Sequence, residues 1–193
     1  LPVPLGVAAI SVEQEGRAAA ASAARHQCED TMPIRPATPE DLPEILAFWN
    51  PMIRETTVTF SSEERTLESL GQMIATRRGK GREFLIAEED DQIMGFATYD
   101  QFRGGNGYLH AMEHTIILSG QARGRGLGRN LMRAVEDHAR SGGAHTMVAA
   151  VSAENEGGVA FHLALGYEPV GRLPQSGRKF GRWLDLVLLQ KIL

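Results

Sequence analysis

Two short stretches carry the residues whose types and spacing suggest chemistry. The first is Gln121-Ala122-Arg123-Gly124-Arg125-Gly126-Leu127-Gly128-Arg129, which follows a β-rich run and opens an amphipathic one. Glycines let the backbone approach a ligand closely, and a helix start presents unpaired N–H groups with partial positive charge. With Arg123, Arg125 and Arg129 around it, this stretch reads as an anion site suited to a pyrophosphate. A P-loop needs Gly-Lys-Ser or Gly-Lys-Thr, which the chain lacks. A dinucleotide fingerprint fails as well, because Arg129 takes the third glycine position when counted from Gly124, and Asn130 falls in the gap when counted from Gly126. What remains is Arg-x-x-Gly-x-Gly, formed by Arg123, Gly126 and Gly128. A glycine-rich turn with solvated arginines is the plain alternative.

The second stretch is His110-Ala111-Met112-Glu113-His114, which spells H-x-x-E-H, the string of inverted zinc proteases. Zinc there needs both imidazoles about 2 Å from one metal, one helical turn apart. The continuation Thr115-Ile116-Ile117-Leu118 is β-branched and bounded by Gly107 and Gly120, which reads as a strand. On a strand His110 and His114 stand roughly 13 Å apart, too far to share a metal. Glu113 then projects to the face opposite Met112 and His114. A carboxylate in an apolar strand is costly to bury unpaired, so it is expected to meet a cleft. Partial burial raises its pKa and suits it to take a proton. A salt-bridged structural acid is the alternative.

The surrounding pattern supplies elements to hold these groups. Ile34 to Ala37 reads as a strand, and Thr38-Pro39-Glu40-Asp41 starts a helix carrying Leu42, Ile45, Leu46 and Trp49. A second helix runs from Thr66 to a stop near Gly79 and Gly81. Phe84–Ala87 and Ile93–Tyr99 are strands joined by an acidic turn at Asp90-Asp91. Tyr108 to Ser119 is the longest β-like run, and Gly126 to Arg140 is an amphipathic helix ended by Gly142-Gly143. Met147–Val151 is a buried strand, a helix spans 154 to 165, and Tyr167–Arg172 and Phe180–Gln190 are closing strands. The order β-α-α-β-β-β-α-β-α-β-β predicts an α/β (mixed α+β) domain, a mixed sheet with helices on both faces.

Bulk properties narrow the classes. The 193 residues suit one domain, and 42% apolar with 23% charged residues is a globular composition. A net charge of −4 gives no basic field for nucleic acid, and no apolar run approaches the roughly 20 residues of a membrane span. Cys28 is the only cysteine, so an internal disulfide is impossible and a reducing, cytoplasmic setting is expected. Residues 1–31, with LPVPLGVAAI and AAAASAA, lack a basic n-region and carry Glu13, Glu15 and Glu29. They read as a disordered or artefactual extension, with Leu1 an alternative start or a trimmed end. The folded unit is expected over 32–193.

Taken together, the motifs resemble those of the GNAT acetyltransferases. Arg123, Gly126 and Gly128 are similar to that family's CoA-pyrophosphate motif. Asn155, Ala160, Phe161, His162, Leu165, Gly166 and Tyr167 resemble its second signature. Gly177 to Val187, Tyr108-x-His110-x-x-Glu113-His114, Ile34–Thr38 and Thr56–Phe60 are similar to the phosphinothricin and methionine sulfoximine N-acetyltransferase branch. The resemblance spans about Ile34 to Gln190. It implies a GNAT fold, a twisted mixed and mostly antiparallel sheet, with acetyl-CoA as co-substrate and no metal.

The resemblance also implies roles. Glu113 would be the general base, and His162 would stand where many relatives carry a tyrosine that protonates the departing thiolate. A packing contact with CoA is the alternative for His162. Cofactor contacts would come from Ile116, Ile117, Arg123, Gly124, Arg125, Gly126, Leu127, Gly128, Arg129 and Asn155. Thr57, Thr59, Phe60, Arg103, His114 and Lys179 would line the substrate side, Arg103 by pairing with a carboxylate or phosphinate. A solvated surface role competes for Arg103, and a dimer edge for Lys179. The implied reaction is acetylation of the α-amino group of a small amino-acid analogue, in a homodimer. Acetylation of protein or peptide N-termini, or a non-catalytic acyl-CoA-binding module, are the other readings.

Overall fold

A computed structural model describes residues 34–122 and 124–193. The expected extension and Arg123 lie outside the described residues. Seven strands form one sheet in the order β1-β2-β3-β4-β5-β7-β6. They are β1 (Ile34–Pro36), β2 (Phe84–Glu89), β3 (Gln92–Gln101), β4 (Ala111–Leu118), β5 (Thr146–Ser152), β6 (Glu168–Lys179) and β7 (Arg182–Ile192). Neighbouring strands are antiparallel except β4 and β5, which run parallel. The helices are α1 (Leu42–Glu55), α2 (Leu67–Gly79), α3 (Leu127–Ser141) and α4 (Glu156–Ala164). The mixed sheet with helices on both faces agrees with the pattern read from the sequence.

Each face is closed by the helix stripe that the spacing provides. Leu42, Ile45, Trp49 and Ile53 of α1 and Leu70 and Ile74 of α2 bury against Phe84, Ile86, Phe96 and Ile117. Phe96 anchors this layer, with ring centroids 4.7 Å from Trp49 and 4.6 Å from Phe84. On the other face α3 buries Leu127, Leu131, Met132, Val135 and Ala139. Thr66 caps α2 reciprocally with Ser69, at 3.0 and 2.9 Å. The β2–β3 turn places Asp90 and Asp91 at φ 49° and 58°, a left-handed pair that short polar side chains tolerate. Among the described residues no helix is long and apolar enough to cross a membrane.

Several boundaries differ from the sequence reading, and three of the differences have a local reason. β4 starts at Ala111 rather than Tyr108, because Asn106–Tyr108 forms a tight helical turn. The His110 carbonyl is taken by the N–H groups of His145 and Thr146 at 2.8 and 3.1 Å. α4 starts at Glu156 rather than Glu154, since the Asn155 side chain caps it by accepting from the Gly158 N–H at 2.9 Å. β6 runs on to Lys179 and β7 is shifted two residues later, the two turning at Phe180-Gly181 and leaving Val170, Leu173, Phe180 and Trp183 exposed.

Gly95 shows how tightly β3 meets β4. A Cβ built there would lie 2.7 Å from both the Ile117 carbonyl oxygen and the Leu118 side chain. Gly95→Val is therefore expected to destabilise the fold by about 1–3 kcal/mol, as overpacking does. Thermal unfolding should show a drop of several degrees, and an unchanged Tm would contradict the Gly95–Leu118 register.

Candidate active site

The parallel pairing of β4 and β5 extends only from Ala111–Thr146 to Glu113–Val148. Beyond that rung β4 continues to Leu118 held by β3 alone, while β5 continues to Ser152 held by β7 alone. The sheet is split there, and backbone groups on the facing edges of both strands are left without ladder partners. Unpaired N–H and C=O groups inside a domain call for a ligand or water. Ile117 buries its side chain in the α1–α2 layer and Ile116 is half-buried. Ile117 therefore offers the split its backbone groups and not its side chain.

The anion loop stands at the open end of this split. Gly124 and Gly126 both have φ 76°, and a Cβ at either would meet nothing within 4 Å, so the loop is open on its outer side. Gly126 is the N-cap residue of α3 and makes no side-chain cap bond. The first intrahelical bond described joins Asn130 N–H to the Gly126 carbonyl at 3.2 Å. The N–H groups of Leu127, Gly128 and Arg129 are therefore the free donors of the helix start. These features fit a CoA pyrophosphate. Leu127 itself is a core residue, so its contribution is its N–H. Gly128 is a packing glycine, since a Cβ would lie 3.0 Å from both Leu118 and the Phe161 ring. Arg125 ion-pairs with Glu89 of β2. Arg129 lines a small polar cleft of about 130 Å³ with Arg133, Glu136, Ala164, Leu165 and Lys191.

The two faces of β4 carry different chemistry. Glu113 shares its face with Thr115 and Ile117, toward α1 and α2, and stands opposite Asp100 of β3. Burial raises the Glu113 carboxyl above its ordinary range, and the Arg77 guanidinium partly offsets this. His114 points to the α3 face. It is buried, both ring nitrogens lack partners among the described residues, and burial together with His162 pushes its pKa down to about 3. His114 is therefore neutral at physiological pH. It groups with His162, ring centroids 5.0 Å apart, and with Tyr167 at 5.7 Å, rather than with the substrate-side residues. His110 lies outside the strand, its Nδ1 2.7 Å from the Gly143 carbonyl.

His162 is buried, and its Nδ1 lies 2.6 Å from the Gly158 carbonyl. A carbonyl only accepts, so Nδ1 carries the proton and Nε2 presents a lone pair. Nε2 has no partner among the described residues, and burial lowers the ring's pKa despite the Gly158 carbonyl and Glu136. Asn155 keeps its Oδ1 on the Gly158 N–H, leaving its amide NH₂ as the group available to a ligand.

Residues expected on the substrate side fall into two groups. Lys179 is buried and donates to the Thr59 carbonyl at 2.7 Å, and burial lowers its pKa. A Cβ on Gly177 would overlap the Phe60 ring at 2.1 Å, so Phe60 is seated directly on β6. Glu154 is held low by Arg182 and by Thr57. Thr57, Thr59 and Phe60 thus form a segment tied to the β6–β7 hairpin and to the start of α4. Arg103 stands apart on the exposed β3–β4 loop, its guanidinium 5.8 Å from the centre of the Tyr108 ring.

Sequence reading passed over Arg77, Arg82 and Asp100. The signal was an acid at the end of an apolar strand and the basic run Arg77-Arg78-Gly79-Lys80-Gly81-Arg82, which read only as a helix stop.

Comparisons with known proteins agree with this geometry. The acetyltransferase (GNAT) domain family matches residues 34–188. An L-methionine sulfoximine/L-methionine sulfone acetyltransferase of Pseudomonas aeruginosa is 37% identical over 158 residues, 81% of this chain and 92% of the relative. The crystal structure of a ribosomal-protein-alanine N-acetyltransferase from Brucella melitensis superposes with a TM-score of 0.80 at 38% identity, covering 83% of this chain and 99% of that one. A phosphinothricin acetyltransferase from Sinorhizobium meliloti, solved with acetyl-CoA, gives 0.79 at 27% identity, covering 83% and 88%. With its split sheet, its glycine loop on a helix start and these likenesses, the chain belongs to the GNAT family of acetyltransferases, and acetyl-CoA is its acetyl donor.

Proposed function

We propose that this enzyme acetylates the α-amino group of a small amino-acid analogue of the methionine sulfoximine, methionine sulfone or phosphinothricin type, with Glu113 as general base. The observation that carries the reading is the position of Glu113 on the last rung joining β4 to β5, with a carboxyl raised by burial. The pyrophosphate would rest on Gly124, Gly126 and the N–H groups of Leu127 to Arg129, and the Asn155 amide would meet the pantetheine arm. Bound there, acetyl-CoA supplies a thioester carbonyl for the amine to attack. Glu113 takes the proton that the amine loses. The free N–H groups of β4 beyond Glu113 take up developing negative charge. Much of the rate comes from holding amine and acyl group together. The C–S bond then breaks and CoA leaves as its thiolate; His162 carries its resting proton on Nδ1, so it protonates that thiolate only after Nε2 has gained a proton.

Arg103 is the cation this reading assigns to the acceptor's carboxylate, because it is exposed and, among the described residues, its guanidinium is engaged only with the Tyr108 ring. The reading includes a homodimer, with exposed Val170, Leu173, Phe180 and Trp183 of the β6–β7 hairpin as the apolar surface a second copy would cover. The name of the Brucella structure favours a second reading, transfer to a protein N-terminal amine.

Two substitutions separate these possibilities. Glu113→Gln keeps the shape and removes the base, so turnover should fall by about 10²–10⁴-fold while acetyl-CoA still binds. The loss should shrink at high pH, where more of the amine is already neutral. Wild-type turnover at neutral pH would return Glu113 to a structural role. Arg103→Ala should raise KM for a free amino acid by roughly tenfold, about 1.4 kcal/mol, and leave KM for its amide nearly unchanged. Equal effects on both would remove Arg103 from carboxylate recognition.

A further inference from the structure

Asp100 is the residue directly across the β3–β4 ladder from Glu113, so the two carboxylates share one face of the sheet. Like charges directly opposite are unfavourable, and here the cations at hand have gathered on one of the two. Arg82 is in direct contact with Asp100, Lys80 Nζ lies 3.4 Å from it, and Arg77 Nη1 lies 3.7 Å from it. Arg77 and Arg82 are mostly buried, at 15% and 11% side-chain exposure, so these charges are poorly screened by water. Among the described residues Arg77 Nη1 has no hydrogen-bond partner, and burial lowers the Arg77 pKa. Arg77 is therefore a buried cation with binding capacity left over, close enough to Glu113 for each to shift the other.

We propose that Asp100 is a positioning residue for acetyl transfer, drawing Arg77, Lys80 and Arg82 onto itself and so keeping Glu113 free to accept a proton. The proposal rests on the reading of Glu113 as the base. A guanidinium seated on Glu113 would lower its pKa by about 1–3 units, weakening it as a base and occupying the lone pairs the amine proton must reach. The charged groups facing Glu113 from every neighbouring element fit this division. β3 brings Asp100. α2 and the turn after it bring Arg77, Lys80 and Arg82, while Arg78 and Glu83 pair with each other at 2.8 Å. Arg65, from the loop before α2, acts on Arg77 and stacks on Trp49 at 5.4 Å. β5 brings only Val148 opposite Glu113.

The sign of each substitution follows. Removing the Asp100 charge releases three cations toward Glu113 and removes a like charge, so the Glu113 pKa falls. Removing Arg77 takes away the cation that offsets burial, so the Glu113 pKa rises. The test titrates the Glu113 side-chain carboxyl by ¹³C NMR, with Glu113→Gln identifying the resonance, and follows the acid limb of kcat on L-methionine sulfone alongside. Asp100→Asn should move the titration to lower pH by about one unit, Arg77→Met should move it to higher pH, and Asp100→Glu should restore the wild-type value. A titration that Asp100→Asn leaves unmoved or raises, or that both changes move the same way, overturns the proposal. Should Asp100→Asn fail to fold, the Arg77→Met arm still decides, since no rise there overturns it. A titration that moves as stated while the acid limb of kcat does not follow removes Glu113 as base, and with it the role of Asp100 in the reaction.

Discussion

The structure depends on one break in an otherwise continuous sheet. β4 and β5 are hydrogen-bonded neighbours through Glu113–Val148 and then part, each secured on its far side by an antiparallel partner. A split of this kind is stable only because both strands are pinned elsewhere. β4 is tied along its length to β3, and β5 to β7. The unsatisfied edges inside the split are what give a polar, extended ligand a place to lie. The loop after β4 stands at the mouth of that split, and α3 packs against Leu118 and Phe161 there because Gly128 carries no side chain: a Cβ at that position would lie 3.0 Å from both. Phosphate loop, strand edges and α4 are thus parts of one construction.

The break also sorts the ionisable groups. Toward α1 and α2, Glu113 faces Asp100 and a set of cations, a polar region where one carboxylate is heavily paired and the other is not. Toward α3, His114, His162 and Tyr167 form a buried aromatic cluster with unpartnered polar atoms, and burial drives both histidines toward the neutral form. Low local dielectric acts on both sides with opposite chemical results. It raises the pKa of a carboxylate, and it withholds a second proton from an imidazole.

Much of this was legible in the residues. The 3.6-residue stripes of α1 and α3, the acidic turn at Asp90-Asp91 and the glycine loop each announce their own geometry. The alternation around Glu113 correctly placed His114 on the other face. A splayed opening of the sheet is what the family resemblance implies, but where it falls was not legible, because β4 and β5 pair for three rungs and no local residue marks where pairing stops. Nor was the Asp100 cluster, since its members are near in space through the β3–β4 register and the end of α2, not in sequence. Asn155 illustrates a third limit. Its type suited both a helix cap and a ligand contact, and only the Gly158 bond shows that the cap takes one end of the amide.

The central claim is that the enzyme joins an acetyl group to a free α-amine beside a free carboxylate. The most direct measurement is thiol release from acetyl-CoA with L-methionine sulfoximine, L-methionine sulfone and phosphinothricin, run against peptides with free N-termini and identified by mass. The account predicts thiol release in step with an N-acetylated free amino acid and little turnover of peptides. Efficient acetylation of peptides with no turnover of the three small molecules would contradict it.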